Sequence, residues 1–96
     1  MAKTLSWRDE LWRFFERVLG KNYRNYIHRL SNKESEVTVS FHVKGDELVV
    51  IASPSSLHVI KRKGMATDHP EEVHNSAFSK ADLKAITPLI KEAQPR

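Results

Sequence analysis

The chain of 96 residues contains no cysteine, which excludes disulfides, thiolate catalysis and thiolate zinc sites. Its three glycines are isolated, so it has no glycine-rich phosphate loop, and no GxSxG or HExxH motif is present. No apolar run approaches the roughly 20 residues of a membrane span, and the N-terminus lacks the apolar stretch of a signal peptide. These absences favour an intracellular, cytoplasmic protein with no membrane partner, no cofactor and no enzymatic activity.

What the chain does have is an excess of positive charge. Sixteen Lys and Arg residues against 12 Asp and Glu give a formal net charge of +4. The excess is concentrated in residues 1–31 and 54–64, which flank a more acidic central segment. Such segregation favours a polyanionic partner, most often nucleic acid.

The central segment, Glu36–Ser53, has the pattern of a β-hairpin. Apolar residues alternate with polar ones from Val37 to Val43, which is the period of a strand with one buried face. Lys44-Gly45-Asp46 supplies turn residues, and the apolar run Leu48–Ala52 is typical of a strand buried on both faces. We expect the rest of the chain to pack on this hairpin.

The segment before the hairpin has helical patterns. Ser6 and Asp9 are suited to the N-cap and N3 positions of a helix, and Gly20 is suited to its end. Between them, apolar residues recur at helical spacing. A second helical pattern follows at Tyr23, Tyr26, Ile27 and Leu30. The sequence therefore predicts two helices joined at Gly20, or one helix bent there.

One face of this predicted helix is basic. If the helix continues through Gly20, four cations fall within a quarter turn of one another; they are Arg13, Arg17, Lys21 and Arg24. One interpretation is a cationic stripe for phosphates. The alternative is a solvated face in which Asp9 and Glu10 pair with Arg13.

The segment from Ser53 to Gly64 allows two interpretations. Ser53 as a cap, Pro54 in the first turn and Gly64 at the end favour a short helix. Val59 and Ile60 would also suit a third strand. Either way, Lys61-Arg62-Lys63 is the densest basic cluster of the chain, and it is a second candidate for contact with phosphates.

Residues 65–78 contain few apolar side chains, and we expect a long loop there. Asp68, His69, Glu72 and His74 resemble metal ligands in type. His69 and His74 are five residues apart, a spacing that suits neither a helical zinc pair nor two same-face strand positions. No metal site is predicted.

The C-terminal segment has the pattern of an interrupted helix. Ser79 and Asp82 form a second cap signal, and Leu83, Ile86 and Ile90 give a thin apolar face. Thr87-Pro88 falls within this pattern, and proline there predicts a kink or a restart of the helix.

Part of the chain resembles the N-terminal domain of the bacterial replication initiator DnaA, a KH-like fold with the order α-α-β-β-α-β. The matching stretches are Trp7–Leu11, Tyr23–Leu30 and Glu47–Ser55. Trp12, Val18–Gly20 and Leu48–Val50 also resemble the DciA-type helicase-loading domain. These resemblances imply docking to a replicative helicase or its regulators, and weak binding of single-stranded nucleic acid.

A different order arises if Leu57–Lys63 is a strand. The order α-β-β-β-α is that of double-stranded-RNA-binding domains, and Ser79-Lys80 and Lys84 would then resemble their phosphate-contacting residues.

The sequence as a whole predicts a single α+β domain, residues 1–96, with N-terminal helices packed on a small antiparallel sheet. The first functional hypothesis is a small, basic, non-enzymatic module that binds nucleic acid, DNA or RNA; the predicted contact residues are Arg13, Arg17, Lys21, Arg24, Lys61, Arg62 and Lys63. The second hypothesis is an adaptor or inhibitor that binds a partner protein or a second copy of itself. It would use the aromatic-rich helix or an exposed edge of the hairpin.

Overall fold

A computed structural model describes residues 6–65 and 70–95 of the chain, with Met65 described in its backbone alone. They form an α+β fold of two helices and a five-stranded antiparallel sheet. Two short 3₁₀ turns, Tyr23–Tyr26 and Lys63–Met65, connect these elements. In chain order the elements are α1 Trp7–Leu19, β1 Ile27–Asn32, β2 Val37–Val43, β3 Asp46–Ala52, β4 Leu57–Arg62, β5 Glu71–Ser76 and α2 Lys80–Lys91.

The sheet is a meander in which each strand pairs with the next, in the order β1-β2-β3-β4-β5. The predicted hairpin is confirmed as β2 and β3, with Val39 opposite Val50. Its two-residue turn has positive φ at both Lys44 (50°) and Gly45 (84°). Positive φ at both positions is the type I′ geometry that matches the twist of the flanking strands.

Both helices cover the same face of the sheet. Inward residues of the strands alternate with outward ones and form one core with Leu11, Phe14 and Phe15 of α1 and the apolar face of α2. The rings of Phe15 and Phe41 meet edge to face, with 5.3 Å between their centroids. The helix starts follow the predicted caps, because Ser6 Oγ accepts from the Asp9 N–H and Ser79 Oγ from the Asp82 N–H.

The second predicted N-terminal helix is wrong. Gly20 does end α1, with φ of 90°, but Tyr23–Tyr26 is a single 3₁₀ turn and the chain then enters β1. The favoured helix over 53–64 is also wrong, and the alternative strand is correct. Ser53 Oγ accepts from the Ser55 and Ser56 N–H groups, so the signal interpreted as a helix cap closes the turn between β3 and β4.

The predicted long loop over 65–78 is wrong for Glu71–Ser76, which form the edge strand β5; residues 66–69 lie outside the described residues. The helix does not restart at Thr87 either, since α2 continues through Pro88 to Lys91. The Thr87 hydroxyl donates to the Leu83 carbonyl at 3.2 Å. No helix in the described part of the chain combines the length and apolar character needed to cross a membrane.

The hairpin lies in the middle of the sheet. β1 pairs with β2 and β4 with β3, so the predicted exposed hairpin edge is wrong, and the outer edges belong to β1 and β5. No described helix packs on the outer face of β3, although Val49 is only 7% exposed there. The order of elements also differs from the α-α-β-β-α-β implied by the DnaA resemblance.

Candidate nucleic-acid interface

A basic groove lies between the two helices. A groove of about 370 Å³ separates α1 from α2, with Phe14 and Val18 on the α1 side. Four cations line it: Arg17, Lys80, Lys84 and Lys91. We call the groove that these cations and Thr87 line the interhelical groove.

The helix α2 supplies three of these cations because of their spacing. Lys80, Lys84, Thr87 and Lys91 follow one another at intervals of four, three and four residues, which places them on one face of a helix. The core residues Leu83, Ile86 and Ile90 occupy a different face. Burial of that apolar face therefore fixes the lysine face toward α1.

No described carboxylate neutralises the groove. Within residues 6–65 and 70–95, Arg17, Lys80, Lys84 and Lys91 form no ion pair. The acids at the two ends of α2 are engaged elsewhere: Asp82 lies in its first turn, and Glu92 directly follows its last residue. Glu92 binds Lys44 at 3.4 Å, and Asp82 binds His74 at 3.2 Å. The four cations are therefore available to an anionic ligand.

Asp82 is held ionised by its neighbours. Hydrogen bonds from the hydroxyls of Ser79 and Ser76 lower the pKa of its carboxyl below the usual 3.8, and His74 adds to this effect. Asp82 lies in the first turn of α2, where a carboxylate also interacts favourably with the helix dipole. This charge stabilises the start of α2 and so the position of the lysine face.

Among the described residues that line the groove, none presents an exposed aromatic ring. Phe14, its one aromatic lining residue, is only 2% exposed. Proteins that hold single strands commonly stack bases on accessible aromatic rings. The interhelical groove offers charge without such a platform, and its chemistry suits phosphate groups rather than bases.

The structure separates the residues of the predicted N-terminal stripe. Arg17 lines the groove, and Arg13 is exposed one turn before it on α1. Lys21 and Arg24 follow Gly20, where α1 has ended. Arg24 lines a different cavity, on the other side of α1. The alternative pairing of Arg13 with Asp9 or Glu10 does not occur among the described ion pairs.

The predicted cluster Lys61-Arg62-Lys63 is also divided. Successive strand residues point to opposite faces of a sheet, and Arg62 reaches Glu47 on the face without helices, at 3.5 Å. Lys61 lies opposite Leu48 and Glu71 in the neighbouring strands. Lys63 is exposed in the 3₁₀ turn after β4. None of the three lines the interhelical groove.

Sequence reasoning missed Lys91 and gave Lys80 and Lys84 only as part of a resemblance. Their common face was readable from the 4-3-4 spacing. The expected interruption at Thr87-Pro88 hid it, because a restart there would have rotated Lys91 out of register with Lys80 and Lys84.

The outer face of the sheet carries a buried carboxylate between two guanidinium groups. Glu47 is 2% exposed, and it lies 3.7 Å from Arg29 Nε and 3.5 Å from Arg62 Nη1. The ring of His42 contacts His28, with 4.1 Å between the centroids, whereas His58 binds Glu72 at 2.7 Å. His42 and His58 thus have different partners, and the described residues contain no cluster suited to a metal ion.

Replacing Glu47 with Ala should lower the free energy of unfolding by about 1–3 kcal/mol. The variant leaves two facing cations without their carboxylate, although their partial exposure lets water recover part of the loss. Urea denaturation measures the change. Glu72→Ala, which removes an exposed carboxylate, is the control and should change stability by less than about 0.5 kcal/mol. Equal losses in both variants would mean that Glu47 is not buried as described.

No known family model matches this chain, and no curated protein or solved structure matches it.

Proposed function

We propose that this protein binds nucleic acid by its phosphate backbone, through the interhelical groove, and acts as a binding module. The observation that carries the proposal is the convergence of Arg17, Lys80, Lys84 and Lys91 on one groove with no described carboxylate paired to them. Arg13 extends the basic surface along α1. The net charge of +4 supports attraction to a polyanion at longer range.

The groove chemistry sets the expected mode of binding. Phosphate contacts are independent of sequence and release counterions. Four such contacts predict a slope of about −4 in a plot of log K against log salt on duplex DNA. Affinity should therefore be modest, in the micromolar range near physiological salt, and should differ little between duplex sequences.

Fluorescence anisotropy with labelled duplex DNA, single-stranded DNA and double-stranded RNA tests this proposal at several salt concentrations. The double variant Lys84→Ala/Lys91→Ala removes two groove cations. It should weaken duplex binding about tenfold at low salt and reduce the magnitude of the salt slope by about 2. Alanine preserves helix propensity at both positions, so circular dichroism should be unchanged.

Lys21→Ala/Lys63→Ala is the matched control, because it removes the same charge from two exposed sites outside the groove. It should change the affinity by less than about threefold. Equal losses in the two double variants would show that net charge, and not the groove, controls binding. If the protein binds none of the three nucleic acids at low salt, the proposal is refuted.

A further inference from the structure

The outer edge of β1 carries one exposed apolar side chain near its centre. No described strand pairs with that edge, so the outward backbone groups of residues 29–32 face no strand of the described part of the chain. Leu30 lies in the middle of β1 and is 54% exposed, the only large apolar side chain so exposed among the described residues. It lies opposite Val39 and therefore projects from the face that carries the helices.

Leu30 belongs to a cavity beside this edge. The cavity measures about 340 Å³ and lies between α1 and β1, on the side of α1 away from the interhelical groove. Trp12 and Tyr23 form its aromatic wall, with Arg24 and Asn32 among its other lining residues. Both rings are only partly buried against the core. An added strand gains affinity from main-chain hydrogen bonds to an edge and specificity from side-chain pockets beside it, and this cavity with its aromatic wall lies beside the edge of β1.

On the side that faces this cavity, α1 carries a basic, an aromatic and an acidic residue in a row along its axis. Arg8, Trp12 and Glu16 follow one another at intervals of four residues. They therefore share one side of the helix, the side on which Trp12 lines the cavity. This row is self-complementary in charge. In an antiparallel pair of such helices centred on Trp12, each Arg8 lies at the level of Glu16 in the other copy.

We propose that two copies of this chain pair through β1, antiparallel and centred on Leu30, to give a continuous sheet of ten strands. The charge pattern of α1 favours a second copy over an unrelated peptide, because it is complementary to itself when two helices run antiparallel. The pairing requires one two-fold axis near both Trp12 and Leu30, and these two residues line the same cavity. Arg29 then lies opposite Ser31 of the second copy, so no like charges lie directly opposite each other near the centre. The axis is perpendicular to the sheet, which places the helices of both copies on one face.

Sedimentation velocity of the full chain over a range of concentrations tests the pairing. Wild type should form a dimer. Leu30→Lys should raise the dimer dissociation constant about 100-fold or more, because it removes two apolar side chains from the centre and sets two cations against each other. Since Leu30 is exposed in the single chain, the variant should keep its fold, as judged by circular dichroism.

A charge exchange identifies the surface. Arg8→Glu and Glu16→Arg should each weaken self-association, because each sets like charges against each other. An equimolar mixture of these two variants should associate at least about tenfold more tightly than either alone, since both cross-pairs are then of opposite charge. Arg8 also donates to the carbonyls of Lys33 and Glu34, and recovery in the mixture separates the interface from any effect on that loop.

Three results would overturn the proposal: a wild-type chain that remains monomeric at every concentration, a Leu30→Lys dimer as tight as wild type, and a variant mixture that associates no better than its components. None of these would bear on the interhelical groove, whose binding to short duplexes depends on the other side of α1.

Discussion

Replacing Phe15 with Ala is expected to lower the free energy of unfolding by about 3–5 kcal/mol. Phe15 is fully buried, and its ring contacts those of Phe41, Phe14 and Trp12, with centroids 5.3, 5.5 and 6.0 Å away. Removing the ring loses these contacts and leaves a cavity beneath α1. A domain of this size typically has about 5–15 kcal/mol of stability in all, so urea denaturation should show a large shift of the midpoint.

Phe78→Ala is the matched control. Phe78 is partly buried and contacts Trp7 edge to face at 6.1 Å, so its loss should cost less than half as much. Equal destabilisation by the two substitutions would contradict the packing of α1 on β2. The comparison matters for function because α1 forms one wall of the interhelical groove and one wall of the cavity beside β1. Both proposed surfaces therefore depend on the contact that Phe15 makes.

Local patterns predicted the elements whose signals agree with their tertiary setting. Ser6, the apolar spacing and Gly20 all indicate α1, and alternation around Lys44-Gly45 indicates the hairpin. For these segments, the buried face and the capping or turn residues select the same structure. The α+β class could be predicted for the same reason.

The errors lie where one sequence signal has two physical outcomes. Tyr23, Tyr26, Ile27 and Leu30 have helical spacing, but Ile27 and the residues after it gain a ladder of hydrogen bonds to β2, which a helix could not provide. Serine in the segment from Ser53 to Ser56 satisfies backbone N–H groups in a turn as readily as at a helix start. Pairing partners distant in sequence decide between these outcomes.

The strand β5 was hidden for a different reason. In Glu71–Ser76 the one large apolar side chain is Val73, which is only partly buried. An edge strand needs little apolar surface, and charged residues on such a strand oppose pairing with another chain. Its backbone bonds to β4 therefore leave almost no trace in composition.

The interhelical groove could be predicted only in part. The lysine face of α2 is a property of one helix and was readable from spacing alone. Arg17 faces these lysines because of the way in which α1 and α2 pack on a common sheet. No local sequence pattern specifies that packing. The structure does not bring the predicted residues together as one group. The common face of Arg13, Arg17, Lys21 and Arg24 required a helix that continues through Gly20, and α1 ends there; the strand period turns Arg62 toward Glu47.

The order α-β-β-β-α, considered because Leu57–Lys63 suits a strand, came closest to the observed arrangement. It anticipated strand β4 and a final helix bearing Lys80 and Lys84. The structure adds β1 and β5 at the two edges. The addition of β1 places the exposed Leu30 in the same cavity as Trp12 of α1.

If the two proposals hold together, duplex length should control affinity strongly. The lysine face from Lys80 to Lys91 is about 16 Å long at 1.5 Å per residue, or roughly 5 base pairs at 3.4 Å each. Pairing through β1 would place two interhelical grooves on one face of the ten-stranded sheet. A duplex of about 40 base pairs could then occupy both grooves, and it should bind at least about 100-fold more tightly than a short hairpin that occupies one.

A longer duplex also offers more overlapping binding positions to a single groove, which by itself raises the apparent affinity. Leu30→Lys separates this increase from the one that arises when two paired grooves bind one duplex. The variant should bind the short hairpin within about threefold of wild type, since Leu30 lies outside the groove. Its gain on the long duplex should remain below about tenfold. Anisotropy titrations of both proteins with both duplexes measure these ratios. A wild-type gain no greater than that of Leu30→Lys would show that the two grooves do not act on one duplex. A strong gain in wild type alone would tie nucleic-acid binding to self-association, because the second groove engages a phosphate backbone already held by the first.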